Sequence, residues 1–303
     1  MTIQAKIIAD SKSSYSRRLT TFQLLYPRFV HGEFMTHRKL SRNASSSRAT
    51  PIKTLIANIK ADTAMPIHWG AHQKGMQADL ECNAPVHMPY NSEATWPLSR
   101  EHAWMEARDR AIDVAEAYDA AGYHKQVVNR ILEPFSHISV IATASSWDNF
   151  FHLRADPDAQ PEIRVLAETM LKEMIASKPT LLKPNEWHLP YVTAHELNTM
   201  SNDQLVKISV ARCARVSYLT HDGETPELAK DLELYDRLVG STPLHASPAE
   251  HQAMFDTVDI FDLEPKYGQP AWGGNFGPGF IQYRKLLSGE NCRKYEPLHE
   301  VAT

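Results

Sequence analysis

Residues 20–48 read TTFQLLYPRFVHGEFMTHRKLSRNASSSR, and they combine two hydrophobic periods with the densest polar cluster of the chain. Apolar side chains alternate around Leu24 and stop at Pro27, as they do on a half-buried strand. The next apolar positions, as far as Phe34, follow a helical spacing, which predicts a helix that ends at Arg38. The stretch therefore predicts mixed α and β structure, with a polar loop directly after the helix.

The other elements are predicted from the same periods and from capping signals. A proline-rich segment, residues 61–98, has few periodic apolar positions and is expected to form a long ordered loop or lid. The remaining pattern predicts strands at 5–10 and 138–144, and helices at 52–59, from Ser99 to Gly122, at 127–132, from Pro161 to Met174, from Ser201 onward, and from Thr225 to Gly240.

Length and composition favour a large globular fold. The chain has 303 residues, of which 43% are hydrophobic, enough for one large domain or two closely associated ones. No apolar run approaches the ~20 residues that cross a bilayer, and the first residues lack a leader pattern, so we expect a cytoplasmic protein. Three widely spaced cysteines, Cys82, Cys213 and Cys292, argue against a disulfide framework and favour packed or inert thiols.

Charge is distributed unevenly along the chain. The net charge is −4, yet the first sixty residues carry eleven Lys and Arg side chains against Asp10 and Glu33. This basic segment suits a pocket for phosphorylated small molecules, but it also fits nucleic-acid binding or a solvated basic face. Composition alone leaves these three interpretations open.

Several common catalytic motifs are absent from the sequence. Neither glycine-rich phosphate loop, G-x-x-x-x-G-K-[ST] or G-x-G-x-x-G, occurs, and there is no G-x-S-x-G nucleophile elbow. The pair His195 and Glu196 is not continued to an H-E-x-x-H zinc motif. We therefore expect no metal site, and a bound nucleotide would have to be held by side chains and a loop of another kind.

The polar cluster from Thr36 to Arg48 contains donors suited to a nucleotide phosphate. Guanidinium groups offer planar donor forks, and serine hydroxyls and exposed backbone N–H groups add donors at short range. A flexible serine-rich loop with incidental charges is the alternative, and composition alone favours it slightly.

Three blocks of sequence resemble the flavin-dependent thymidylate synthase family. THRKLSRNASSSR resembles the R-H-R-x7-S signature of that family, with His37, Arg38, Ser46 and Arg48 in matching positions. SSWDNFFHLRADPDAQPEIRVLA resembles the family's asparagine-to-arginine segment. This second match places Asn149 and Arg154 at functional positions, with Arg130 at an upstream arginine position.

The third block lies in an unusual place. ISVARCARVSYLTHDG and PLHASPAEHQA, between residues 208 and 253, resemble segments that usually precede the signature. The chain therefore resembles a circularly permuted member of the family. We expect one domain over 1–303, with the signature and pyrimidine-binding part in 1–195 and the permuted segment in 196–303. Permutation is tolerated when termini lie close together and the contacts are kept.

The resemblance implies a fold, a reaction and an assembly. The fold would be α+β, with a central, largely antiparallel sheet flanked by helices, in a homotetramer whose sites form between subunits. The reaction would transfer a one-carbon unit from methylene tetrahydrofolate to C5 of dUMP, giving dTMP, with FAD as cofactor and NADPH as reductant. The partners would be pyrimidine deoxynucleotides rather than a membrane or nucleic acid.

The resemblance also implies roles for individual residues. Arg154 would bind the pyrimidine and stabilise its ionised form, and a salt bridge with Asp156 or Glu162 is its structural alternative. The implied substrate-binding residues are Glu33, Ser46, Ser47, Arg48, Arg130 and Arg154, and the implied flavin-contacting residues are Thr36, His37, Arg38, Asn149, Ser217, His245 and Ser247.

Departures from the family pattern concern the substrate more than the fold. Thr36 stands in place of the first arginine of the signature, and Glu33 in place of a glutamine; an ionised carboxylate accepts hydrogen bonds but cannot donate them. Other departures are Ala44, Thr143 and Ser145. Two alternatives therefore stay open: a flavin-dependent hydroxymethylase acting on dUMP or dCMP, and a catalytically silent homologue that binds nucleotides or nucleic acid.

Overall fold

The computed structural model describes residues 2–12, 17–89, 95–218, 227–242, 244–255 and 272–290. A five-stranded sheet in the order β3-β6-β2-β1-β7 forms its centre, and all neighbours in it are antiparallel except β1 and β7. A three-stranded sheet has the order β10-β9-β8, and β4 and β5 form a hairpin ladder. The strands are β1 Gln4–Lys12, β2 Leu19–Pro27, β3 Ser41–Ala44, β4 Val86–Pro89, β5 Thr95–Leu98, β6 His137–Ala144, β7 Thr180–Leu181, β8 Trp187–His188, β9 Ala253–Phe255 and β10 Phe280–Gln282.

Helices flank this sheet, which confirms the predicted α+β class. The described helices are α1 His31–Met35, α2 Ile52–Ala61, α3 Arg100–Ala120, α4 Lys125–Leu132, α5 Asp148–Arg154, α6 Pro161–Ala176, α7 Ala194–Thr199, α8 Asn202–Tyr218, α9 Leu228–Val239 and α10 Tyr283–Leu286. In the part of the chain that the structure describes, no helix is both long and apolar enough to cross a membrane.

The main hydrophobic core lies between one face of the central sheet and helices α5 and α6. Phe22 and Tyr26 on β2 point to this face because side chains alternate along a strand, and Val140 does so on β6. Trp147 is 2% exposed and meets the Phe22 ring edge-on, with ring centroids 5.1 Å apart. Burying such large side chains contributes about 1.5–3 kcal/mol each. This packing fixes where α5 begins.

The second half of the chain covers the opposite face of the sheet. Helix α8 packs against β3 and β6, where Ile141 meets Cys213 and Val216. Asn43 on β3 donates from Nδ2 to the carbonyl of Cys213 at 2.9 Å. Burial raises the pKa of the Cys213 thiol far above its ordinary value, so this cysteine is a packed, protonated thiol, as predicted.

A buried chain of hydroxyl and imidazole groups crosses this second interface. Thr21 and Thr143 are register partners on β2 and β6, and their hydroxyls lie 2.8 Å apart. The Thr21 hydroxyl also meets Nε2 of His188 at 2.7 Å, and the Thr143 hydroxyl meets Nδ1 of His251 at 2.8 Å. Thr143, a departure from the family pattern, is therefore part of a structural network that joins the sheet to its covering layer.

An ion cluster stabilises the layer formed by α7, α8 and α9. Arg212 donates to Asp231 at 2.8 Å and to Glu196 at 2.6 Å, and Arg215 also donates to Asp231. Asp231 is fully buried, so its charge requires both cations. Hydrogen bonds from Arg212, together with those from Thr193 at the start of α7, lower the pKa of Glu196 to about 2.

Most predicted elements are confirmed, and the differences have physical causes. The helix predicted to end at Arg38 ends at Met35, because Arg42 donates to the carbonyls of Met35 and His37 and the chain turns there. The predicted loop or lid at 61–98 contains the β4–β5 hairpin. The N-terminal end of the helix predicted from Thr225, and Cys292, lie outside the described residues.

Candidate nucleotide site

Arg154, the last residue of α5, contacts the turn that follows α1. Its Nε donates to Nε2 of His37 at 3.0 Å, and its Nη2 donates to the hydroxyl of Thr36 at 3.2 Å. Within the described ranges no carboxylate pairs with Arg154. The alternative salt bridge to Asp156 or Glu162 is wrong: these carboxylates accept hydrogen bonds from backbone N–H groups instead.

The hydrogen bond from Arg154 requires a neutral His37, because only an unprotonated Nε2 has a lone pair to accept it. The surroundings favour that state. Burial lowers the pKa of His37 first, and the positive charges of Arg154 and Arg42 lower it further. The site therefore holds an arginine whose positive charge is not neutralised by a carboxylate of the described chain.

Aromatic packing positions this pair. Phe150 is 2% exposed and belongs to the main core, one turn before Arg154 on α5. The His37 ring meets Phe150 edge-on, with ring centroids 4.9 Å apart. Phe34 on α1 makes a similar contact with Phe150 at 5.7 Å. The core thus sets the distance between α1 and α5, and with it the distance between His37 and Arg154.

Glu33 lies on α1, one turn before His37. Its backbone carbonyl accepts from the Thr36 hydroxyl at 2.7 Å, so Glu33, Thr36 and Arg154 belong to one connected cluster. The Oε2 atom of Glu33 is buried and has no hydrogen-bond partner among the described residues. A buried carboxylate oxygen without a donor is costly, so this atom suits a donor supplied by a bound molecule.

A second polar cluster lies at the other end of β3, where the chain forms a 3₁₀ turn at Ser47–Ala49. Ser45 and Ser139 share two hydrogen bonds. The backbone N–H of Ser45 donates to the carbonyl of Ser139 at 2.8 Å, and the backbone N–H of Ser139 donates to the Ser45 hydroxyl oxygen at 3.1 Å. Asn129 on α4 donates from Nδ2 to the carbonyls of Ser47 and Thr50. The serine-rich segment is therefore an ordered turn anchored to β6 and α4.

Cationic side chains surround this turn. Arg130 donates from Nη1 to Oε1 of Glu133 at 2.9 Å, and the buried Ser47 hydroxyl donates to the same atom at 2.6 Å. Arg28, in the 3₁₀ turn after β2, brings its Nη1 to 3.9 Å from that oxygen. Arg48 is exposed and has no partner among the described residues. Ser47 and Arg130 thus share Glu133 as a partner, Arg48 is next to Ser47 in the turn, and Arg28 and Glu133 were not predicted.

The other predicted site residues are spread over several surfaces. Thr36, Arg38 and Asn149 are exposed near the end of α1 and on α5, and Ser46 is half-buried. His245 and Ser247 are exposed at a 3₁₀ turn in the second half of the chain, and the side chain of Ser217 on α8 lies outside the described structure. The structure brings together Glu33, Thr36, His37 and Arg154, and separately Ser47 and Arg130, which share Glu133.

Two further observations concern possible metal ligands and grooves in the described structure. Among the described residues, no group of His, Cys, Asp or Glu could hold a metal ion. The groove of about 460 Å³ between α2 and α3 is lined by residues such as Ile52, Ile56 and Glu116, none of them a predicted site residue.

This α+β fold is the one that the resemblance implied, and it carries the arginine–histidine pair and the serine-rich cationic turn at the two ends of β3. The family model described as Thymidylate synthase complementing protein (Thy1) matches residues 15–180, more than half of the chain. The chain belongs to this family, the flavin-dependent thymidylate synthases.

Comparison with solved structures finds similarity to a UMP/dUMP methylase, PolB, from Streptomyces cacaoi. Its crystal structure bound with 5-Br dUMP is 16% identical, with a TM-score of 0.41, over 57% of this chain and 90% of that chain. Its crystal structure bound with 5-Br UMP is 17% identical, with a TM-score of 0.42, over 57% and 89% of the respective chains. Among curated protein sequences, none matches this chain significantly.

Proposed function

We propose that this protein transfers a one-carbon unit from methylene tetrahydrofolate to C5 of dUMP, giving dTMP, in an FAD-dependent reaction. The observation that carries the proposal is the hydrogen bond between Arg154 and His37. It joins two segments that are 117 residues apart in sequence, the signature and the asparagine-to-arginine segment. Family membership supports the same reaction.

Arg154 would bind the pyrimidine and stabilise negative charge on it. Its guanidinium is permanently charged, it is half-buried, and its described partners, His37 and Thr36, are neutral. A cation without a carboxylate partner keeps its full attraction for a developing anion, and removing bulk water strengthens that attraction. His37 acts as a positioning residue in this scheme, because its acceptor nitrogen orients the guanidinium.

The serine-rich turn would hold the nucleotide phosphate. Ser46, Ser47, Arg48 and Arg130 supply hydroxyl and guanidinium donors, and Arg28 adds a further positive charge. Phosphate is bound well by such a combination because guanidinium groups can donate two parallel hydrogen bonds to its oxygens. The ordered backbone of the turn lowers the entropy lost when the phosphate binds.

The flavin would be held by residues around the end of α1 and on α5. Arg38 and Asn149 are exposed and have no partners among the described residues, so their donors fit the polar groups of FAD, together with Thr36 and His37. Ser217, His245 and Ser247 are proposed as contacts from the second half of the chain. Bound FAD would supply the hydride chemistry that no side chain can provide, and NADPH would be its reductant.

Glu33 would recognise a donor on the nucleotide. Its buried Oε2 lacks a hydrogen-bond partner in the described chain, and an ionised carboxylate can only accept. A base N–H or a sugar hydroxyl could fill this position. Cytosine presents an amino group where uracil presents a carbonyl, so this residue motivates testing dCMP beside dUMP.

The assembly and the chain order are further parts of the proposal. We infer a cytoplasmic homotetramer, with sites completed by neighbouring subunits. Residues 1–195 would carry the signature and pyrimidine-binding part. Residues 196–303 would be the permuted counterpart of the family's amino-terminal segments, and the packing of α8 on β3 and β6 supports a shared domain.

An anaerobic turnover assay tests the function. Purified protein loaded with FAD is incubated with dUMP, methylene tetrahydrofolate and NADPH, and the mass of the nucleotide product is measured by mass spectrometry. A methylated product is expected. A hydroxymethylated product, or conversion of dCMP alone, would replace the proposal by the hydroxymethylase or by a cytosine substrate. A protein that binds no flavin and shows salt-sensitive oligonucleotide binding would be a silent homologue.

A further inference from the structure

The carboxylate of Glu133 lies at the centre of the cationic cluster that surrounds the serine-rich turn. Its Oε1 accepts from the Ser47 hydroxyl at 2.6 Å and from Arg130 at 2.9 Å, and Nη1 of Arg28 lies 3.9 Å away. One oxygen atom therefore accepts from two of the groups that the proposed function assigns to the phosphate, and a third cation lies close to it. Glu133 starts the 3₁₀ turn directly after α4, and Pro134 follows it, so its backbone position is well defined.

The Ser47 hydroxyl cannot serve two anions at once. A serine hydroxyl carries a single hydrogen and so donates one hydrogen bond, whereas an arginine has five N–H donors to share. Ser47 is 5% exposed, and its hydrogen is directed at Glu133. For this hydroxyl to bind a phosphate oxygen, its hydrogen bond to Glu133 has to break. Arg130 is different, because its side chain is 58% exposed and keeps other N–H groups available.

Charge repulsion also opposes the presence of Glu133 and a bound phosphate in the same cluster. A nucleotide monophosphate brings close to two negative charges at neutral pH, and a carboxylate beside it repels them. Arg28, Arg48 and Arg130 stand against the single charge of Glu133, so a net positive charge remains, but it is smaller than the arginines alone would supply. The carboxylate of Glu133 thus occupies the anion-binding donors of the cluster while no nucleotide is bound.

We propose that Glu133 is an internal competitor of the substrate phosphate, which holds Ser47 and Arg130 in the unliganded protein and releases them when a nucleotide monophosphate binds. This inference rests on the proposed function for the identity of the nucleotide. It assigns to Glu133 control over the affinity for the phosphate group, while recognition of the base is left to the cluster at the other end of β3.

The test compares ligand binding to the wild-type protein and to Glu133→Gln by titration calorimetry, with dUMP, deoxyuridine and inorganic phosphate as probes. Loss of the competing charge should tighten the binding of dUMP and of phosphate by about tenfold. Deoxyuridine, which lacks the phosphate, should bind equally to both proteins. Glu133→Ala removes the carboxylate without adding an amide and should shift dUMP affinity in the same direction.

Glu168→Gln is the matched control. Glu168 also pairs with an arginine, Arg164, but on the exposed face of α6, so this substitution makes the same change in charge elsewhere. It should leave all three affinities unchanged. Where the wild-type protein binds dUMP, equal or weaker dUMP binding by both Glu133 variants would overturn the inference. Parallel shifts for dUMP and deoxyuridine would also overturn it, because they would indicate a general structural effect.

Failure of this inference can be separated from failure of the proposed function. If the wild-type protein binds dUMP and the Glu133 variants do not bind it more tightly, only the competitor role is rejected. If no protein binds dUMP but the Glu133 variants bind inorganic phosphate more tightly than the wild type, the competitor role is upheld and the proposed nucleotide is rejected.

Discussion

The Nε atom of Arg154 donates to Nε2 of His37 at 3.0 Å, although the two residues are 117 positions apart in the chain. This single contact connects the end of α5 to the turn after α1. The contact holds the Arg154 guanidinium in place only while His37 is neutral, because a protonated imidazole could no longer accept the hydrogen bond.

Arg154→Ala should lower kcat by about 100-fold or more while FAD remains bound, because it removes the cation proposed to stabilise the ionised pyrimidine. Turnover is measured under anaerobic conditions, and bound flavin by its absorbance. Arg164→Ala is the control, since Arg164 forms an exposed ion pair with Glu168 on α6 and should retain full turnover. Unchanged turnover in Arg154→Ala would remove this residue from the mechanism.

The pH dependence of turnover should show the titration of His37. Burial, followed by the charges of Arg154 and Arg42, lowers the pKa of His37 from 6.5. The accepting, neutral form therefore persists as pH falls through 6.5, and kcat/KM should decline only at lower pH. His37→Gln keeps an acceptor that does not titrate, so the decline should disappear. An acid limb centred at or above pH 6.5, or one unchanged in His37→Gln, would contradict this role.

Trp147 should be a major determinant of stability. It is 2% exposed and packs edge-on against Phe22, so Trp147→Ala should leave a cavity in the main core and lower the free energy of unfolding by about 3–5 kcal/mol. Trp96 is 67% exposed, and Trp96→Ala should change this free energy by about 0.5 kcal/mol or less. Chemical denaturation measures both. Equal effects would show that Trp147 is not a core residue.

Acid should weaken the attachment of the second half of the chain to the sheet. Burial lowers the pKa values of His188 and His251 to about 3 in the fold, against an ordinary value of 6.5. The unfolded chain binds these protons first as pH falls, so the stabilisation present above pH 6.5 is lost progressively between 6.5 and about 3. Each histidine contributes a slope of up to about 1.4 kcal/mol per pH unit.

The measurement is the free energy of unfolding from urea denaturation at several pH values below 6.5. Substituting His188 by Asn should reduce the slope, whatever it does to stability at pH 7, because one titrating group is lost. His195→Asn is the matched control, since this histidine is exposed on α7 and should not alter the slope. The same slope in wild type and His188→Asn would show that this histidine is not a neutral buried group.

The regular part of the fold could be predicted because its hydrophobic periods are long and regular. Apolar alternation predicted β2, and the segments of β6 and α6 were expected within a few residues of their observed bounds. The end of α1 could not be predicted this way. It depends on the side chain of Arg42 reaching back to two carbonyl groups, and that contact exists only in the folded chain.

Some residues of the candidate site could likewise be predicted from the sequence, and others could not. His37 and Arg154 were expected from the family signature, and the structure places them in contact. Glu133 carries no local signal for a binding role, because its partner Ser47 is 86 residues away. Arg28 follows Pro27 at the end of a strand, where an arginine is unremarkable. His188 and His251 are isolated histidines in the sequence, and only the packing of two layers brings them to one pair of threonines.

The two ends of the central sheet are protected in different ways. The outer strand β7 has only two residues, and the opposite outer strand, β3, lies against α8 and the turn at Ser247–Glu250. Exposed strand edges recruit other chains, so a polypeptide shortened after α6 would uncover β3 and one whole sheet face. Such a fragment, although it would contain the family signature, should self-associate into insoluble aggregates. The second half of the chain thus covers the strand edge within the signature segment and should keep that edge from pairing with other chains.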